Sequence, residues 1–194
     1  MPKTLFDAFS RQLKAGEIPP AIYLYGDEDV LKDEALRVIL DAVVGPGLRD
    51  FNYDVRSAGS LDPDAVEALC TTLPMMADRR LVVIRDVESW NKRARAKTAV
   101  LHYLEKPAAE TVLVLIQGAP RREDDRGDAD PDLAKLTCAV EIERMSPKLA
   151  EKWVKKRAEE RGVMLAPDAA AHLVKAVAGD LGAARSELDK LAGL

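Results

Sequence analysis

AIYLYGDEDVLKDEAL, residues 21–36, is the stretch from which the fold can be read. AIYLYG is an apolar, aromatic-rich run of strand length that stops at Gly26. After it, Leu31, Ala35, Val38, Ile39 and Ala42 recur at helical spacing. A buried strand, a glycine and then a helix is the layout in which α/β domains hold phosphate at a helix N-terminus.

The same alternation continues outward from this unit. Upstream, Leu5, Phe6, Phe9 and Leu13 predict a short amphipathic helix ended by Gly16. Downstream, FNYDVRSA (51–58) predicts a second strand, and Asp62-Pro63 opens a helix with Val66, Leu69, Cys70 and Leu73 as its apolar stripe. That helix is expected to run to Leu73 and stop at Pro74. LVVIRD (81–86) is a third strand, RARAKTAVLHYLEK (93–106) a helix, and TVLVLIQG (111–118) a fourth strand. RREDDRGDADPD (121–132) reads as a polar, mobile loop, and TCAVEIE (137–143) as a fifth strand. Several of these strands are continuous apolar runs, the pattern of a parallel sheet covered on both faces.

The pattern switches near Met145. SPKLAEKWVKKRAEERG, APDAAAHLVKAVAG and DLGAARSELDKLAGL read as three helices with clean stops. Leu149, Trp153 and Val154 are expected on one buried face, with Trp153 packed inside the helical unit. The sequence therefore predicts an α/β parallel-sheet domain over 1–144 and a small three-helix domain over 145–194.

The chain is 47% hydrophobic and 32% charged, with a net charge of −4, so nothing global points to nucleic acid or an anionic membrane. Cys70 and Cys138 lack metal or redox spacing and are expected to be buried free thiols. The first residues are too polar for a signal peptide, and no apolar run is long enough to span a bilayer. A reducing, cytoplasmic setting is expected.

Laying the phosphate-loop pattern G-x-x-x-x-G-K-[ST] on the sequence from Gly26 tests for nucleotide binding. Gly26 matches the first glycine and Lys32 the lysine. Leu31 replaces the second glycine and Asp33 the magnesium-holding hydroxyl, while Asp27, Glu28 and Asp29 crowd the loop with negative charge. Two like charges at ~4 Å repel by about 1 kcal/mol in water and more near a protein surface. The acids are expected to favour the helix N-terminus instead. Lys32 is expected to be an exposed lysine whose removal changes little. The layout reads as a degenerate phosphate loop with no cofactor.

LCTTLPMMADRRLVVIRD, residues 69–86, raises a different question. Met75 and Met76 fall off the helix's buried stripe, and two adjacent apolar residues at a helix end suit a partner surface. Leu73 fits either the core or that surface. Lys92, Arg93, Arg95 and Lys97 lie at a helix start, where they form either a solvated face or a phosphate-contacting patch. His102 and His172 have no partner at ligand spacing, so no metal site is expected. No Ser-His-Asp set, carboxylate pair or dinucleotide fingerprint can be assembled.

Taken in order, YLYGDEDVLKDEAL, LCTTLPMMADRRLVVIRD, CAVEIERMSPKLAEKWVKKRAEERGV and GDLGAARSELDKL resemble the N-terminal portion of the delta subunit of the bacterial DNA polymerase III clamp loader. The resemblance implies an ATPase-like (AAA+-type) domain, a three-helix lid and a helical collar, of which the collar would lie after Leu194. It implies that Leu73, Met75 and Met76, with Pro74 shaping the turn, form an apolar wedge that binds the sliding (beta) clamp. The clamp ring would be opened for loading onto primed DNA, in company with the gamma/tau and delta prime subunits and away from any membrane. The active relatives' lid arginine is absent from Gly179-Asp180-Leu181-Gly182. Leu136-Thr137-Cys138 stands where they carry the arginine-finger Ser-Arg-Cys, and Arg85-Asp86 where they close the third strand with an acidic pair. Together with the altered loop, these absences imply a subunit that is not an enzyme on its own. The rivals are an ATP-hydrolysing member of the same superfamily and an interaction module with no clamp partner.

Overall fold

The computed structural model describes residues 4–90, 94–120 and 127–193, except for the side chains of residues 4–7, 10 and 14. It forms two compact units, Met1–Ile142 and Glu143–Leu194.

Among the described residues, six strands build the first unit: β1 (Thr4–Leu5), β2 (Ala21–Gly26), β3 (Tyr53–Ser57), β4 (Arg80–Arg85), β5 (Thr111–Ile116) and β6 (Cys138–Ile142). Their order is β1-β6-β2-β5-β4-β3, and every neighbouring pair is parallel. The helices between them are α1 (Phe6–Lys14), α2 (Asp29–Val43), α3 (Arg49–Asn52), α4 (Pro63–Thr71), α5 (Arg95–Glu105) and α6 (Pro131–Leu136). This is the α/β parallel-sheet class expected from the continuous apolar runs. β2, β4 and β5 are buried along almost their whole length, so alternate residues feed two cores. Tyr23, Tyr25, Val82, Ile84, Leu113 and Leu115 meet Val66 and Cys70 of α4, Val100 and Leu104 of α5, and Leu133 of α6. The intervening residues, among them Ile22, Leu24, Leu81, Val83 and Val114, are equally buried, and α2 packs along β2, β4 and β5. From β2 the chain crosses to the far edge at β3, whereas β1 lies on the other side. The loop after β2 therefore sits at a topological switch point, the usual ligand crevice of such sheets.

Several expectations are corrected. Phe51 and Asn52 belong to the helical turn α3, so the second strand starts at Tyr53. β1 is an additional strand, and the end of the polar segment folds as α6, capped by Asp130. Residues 121–126 of that segment lie outside the described residues. On α2 the buried stripe runs through Leu31, Ala35, Leu36, Ile39 and Leu40, leaving Val38 and Ala42 outside it. Cys70 is buried outside any disulfide, and burial pushes its thiol up to about 12; Cys138, likewise outside any disulfide, is only half-buried.

The second unit contains α7 (Pro147–Glu160), α8 (Ala169–Ala176) and α9 (Leu181–Ala192). Ala150, Trp153, Val154 and Ala158 form the buried stripe of α7 against Ala170, Val174, Leu181, Ala184 and Leu188. Leu149 is 52% exposed, so the predicted Leu149–Trp153 face is one residue out of register with the true one. The stripe leans on small alanines, which admit close helix approach but carry a weak hydrophobic signal. Asp180 caps α9 by accepting from Ala183 N–H at 2.9 Å. At the end of α7, Gly162 adopts φ +72°, and the Val163 and Gly162 N–H groups reach back to Ala158 and Glu159 carbonyls.

Candidate functional site

The loop after β2 is packed shut by its own residues. Gly26 has φ +110°, and a Cβ there would lie 2.4 Å from the Ile142 carbonyl oxygen, so the close approach of β6 demands glycine. Lys32, expected to be exposed, is 1% exposed. Its ammonium donates to the Gly26 carbonyl at 2.8 Å and the Gln117 carbonyl at 2.6 Å, and pairs with Asp29 Oδ1 at 2.8 Å. An ammonium has three protons to donate, and these three partners take them all.

The remaining loop charges are also engaged. Asp33, at the magnesium-ligand position, accepts from Arg85 Nη2 at 2.8 Å. A direct ion pair thus joins the position that replaces the loop hydroxyl to the one that replaces the acidic pair closing the third strand. Asp29 accepts from Ala119 N–H at 2.9 Å and Asp27 from Gly127 N–H at 3.2 Å. A Cβ on Gly127 would fall 2.8 Å from the Gly26 carbonyl carbon, so the chain itself crosses over the loop. Leu31 turns into the core. The acids serve cross-links rather than caps: Glu28, at the N-cap of α2, makes no side-chain cap bond.

The turn after α4 is the opposite. α4 ends at Thr71, two residues sooner than expected, because the residue before a proline is driven out of the helical region. Thr71 and Thr72 close it by donating to the Glu67 and Ala68 carbonyls at 2.8 and 2.6 Å. Beyond it Leu73, Met75 and Met76 are 74%, 53% and 78% exposed, and Pro74 is half-buried. Leu73 is therefore surface, not core. Met76 holds φ +52°, a left-handed conformation that costs a non-glycine residue roughly 1–2 kcal/mol.

One residue that sequence reasoning missed fixes this turn. Asn52 is fully buried, and its side chain accepts from Met75 N–H at 2.7 Å while donating to the Met75 carbonyl at 2.8 Å. It also donates to the Leu48 carbonyl at 3.1 Å. The one hint was an asparagine inside a presumed strand, where that residue type is depleted. Its neighbour Phe51 is 56% exposed.

The basic cluster does not survive as a set. Lys92 and Arg93 lie outside the described residues, and Arg95 is exposed. Lys97 is buried against Asp130 and Asp132 at 2.6 and 3.3 Å, which removes it as a DNA contact. Burial pulls its pKa down, but these two carboxylates outweigh that and hold it above the ordinary value. His102 and His172 lie beside single carboxylates, and no metal-ligating cluster occurs among the described residues. Thr137, in the arginine-finger position, is buried and donates to the Leu133 carbonyl at 2.8 Å. A groove lined by Asp54, Arg56, Leu69, Thr72 and Arg80 runs beside α4 and includes none of the predicted site residues.

Residues 23–143 match the family profile described as DNA polymerase III, delta subunit. The chain belongs to that delta-subunit family. It is 30% identical over 194 residues to the DNA polymerase III subunit delta of Bacillus subtilis, an alignment covering 96% of this chain and 55% of that protein. It also resembles the solved Bacillus subtilis DNA clamp loader delta protein, with a TM-score of 0.66 and 27% identity over 97% of this chain and 57% of that one. A RuvB structure from Thermotoga maritima superposes with a TM-score of 0.64 at 16% identity, covering 94% and 57% of the two chains, which speaks for the AAA+ fold alone. The chain thus spans little more than half the length of the delta relatives it matches. No helix among the described residues is long and apolar enough to cross a membrane.

Proposed function

We propose that this delta-family chain grips the sliding clamp of DNA polymerase III through Leu73, Met75 and Met76, and that it does so without hydrolysing ATP. The observation that carries this reading is the turn itself: three large apolar side chains stand in water on a backbone tied down by a buried amide. Unbranched, polarizable methionines fill irregular pockets, and a pre-ordered backbone leaves less entropy to lose on binding. Gripping favours whichever state of the ring binds the wedge more tightly, so ring opening follows if that state is the open one. In the longer protein, delta prime and gamma/tau subunits would share the work, and primed DNA would be contacted indirectly.

Support for the non-hydrolytic part comes from the loop. Its lysine is spent on carbonyls, its metal position is taken by Arg85, and Gly127 lies over the glycine. The test is a paired titration with the sliding clamp of the same organism and with labelled ATP in equilibrium dialysis. Saturable clamp binding with no micromolar ATP binding is expected. Micromolar ATP binding would restore the ATP-hydrolysing alternative, and absence of clamp binding would leave an interaction module with another partner.

A further inference from the structure

We infer that Asn52 is the positioning residue of the wedge: it fixes the backbone from which Met75 and Met76 project, without being part of the gripping surface. This rests on the clamp-gripping reading above. Among the described residues, no backbone–backbone hydrogen bond is made by residues 73–79. Among the described residues, the hydrogen bonds that tie this stretch to the fold are those between Asn52 and Met75, one to its N–H and one to its carbonyl. A primary amide can do both at once, because it carries a donor and an acceptor side by side, as a neighbouring strand would.

Three further features converge on the same role. Asn52 is itself held by its bond to the Leu48 carbonyl, and it has no exposed surface with which to touch a partner. Met76, the next residue, sits at φ +52°, a conformation that persists only where surroundings dictate it. The contact spans 23 residues and joins α3 to the turn, so the short helix Arg49–Asn52 acts as a bracket for a distant segment. Without the amide the turn would sample many conformations, and the apparent affinity would fall in proportion to the fraction still competent to bind.

The experiment uses Asn52→Leu, which keeps the branched shape and heavy-atom count of the side chain and removes all three bonds, in the full chain with methionine methyl groups isotopically labelled. Met164 is 97% exposed and serves as the internal reference for a free methionine. The Met75 and Met76 methyl signals should move toward that of Met164, while Met145 stays in place. Clamp affinity should fall at least tenfold, with a cooperative melting transition retained. Unmoved methyl signals, or shifted signals with unchanged affinity, would overturn the inference. Should Asn52→Leu not fold, Asn52→Ser, too short to reach Met75, is read by the same signals and the same affinity. Failure of the wedge reading itself shows separately, as full clamp affinity in a Met75→Ser/Met76→Ser variant whose Asn52 is intact.

Discussion

The loop after β2 and the turn after α4 treat their side chains in opposite ways. In the loop, Lys32 is buried and the charged groups around it are paired with the protein itself. In the turn, apolar groups that would ordinarily be buried are turned outward, and the polar work is done underneath by Asn52. A site open for binding leaves some group unsatisfied; a site retired from binding leaves none. On the proposed reading, the switch-point crevice is architecture and the turn is the surface in use.

The comparison breaks first if Lys32 is dispensable. Lys32→Ala strands two carbonyl acceptors beside a buried void, and should cost roughly 2–4 kcal/mol in chemical denaturation. Clamp affinity of the folded variant should stay within about twofold. The earlier expectation that this substitution is harmless came from reading the lysine as exposed. Its Gln117 partner lies 85 residues away, so no local pattern could have revealed its burial.

Leu73→Ser should act in the reverse sense, weakening the clamp complex about tenfold, near 1.4 kcal/mol, and leaving the melting temperature almost unchanged. A fall in stability instead would place Leu73 back in the core stripe of α4.

How far the sequence could be read follows the same division. Strands β2, β4 and β5 were legible because a buried parallel strand is a continuous apolar run and needs no distant information. The exposed methionines were legible because the proline takes them off the helix stripe. Asn52 was not, since FNY looks like strand and its role rests on a pair of bonds to Met75, 23 residues away. Leu149 was misplaced for a related reason: the real stripe includes Ala150 and Ala158, which periodicity weighs too lightly against leucine.

Smaller effects sharpen the contrast. Asp33→Ala removes the ion pair with Arg85, each partner about a third exposed, and should cost less than ~1 kcal/mol, fading in high salt. Millimolar Mg-ATP should leave the melting temperature of the wild-type chain unmoved, although a ligand at a hundred times its Kd adds about 2.7 kcal/mol. A clear upward shift would show that the loop can still open to nucleotide.

The most direct measurement is clamp affinity and thermal melting on a single Met75→Ser/Met76→Ser variant. Two anchors of ~2 kcal/mol each should weaken binding around a thousandfold, and the melting temperature should move by no more than ~2 °C because neither side chain is buried. Wild-type affinity in that variant would contradict the account, and a collapse in melting temperature would return the methionines to the core.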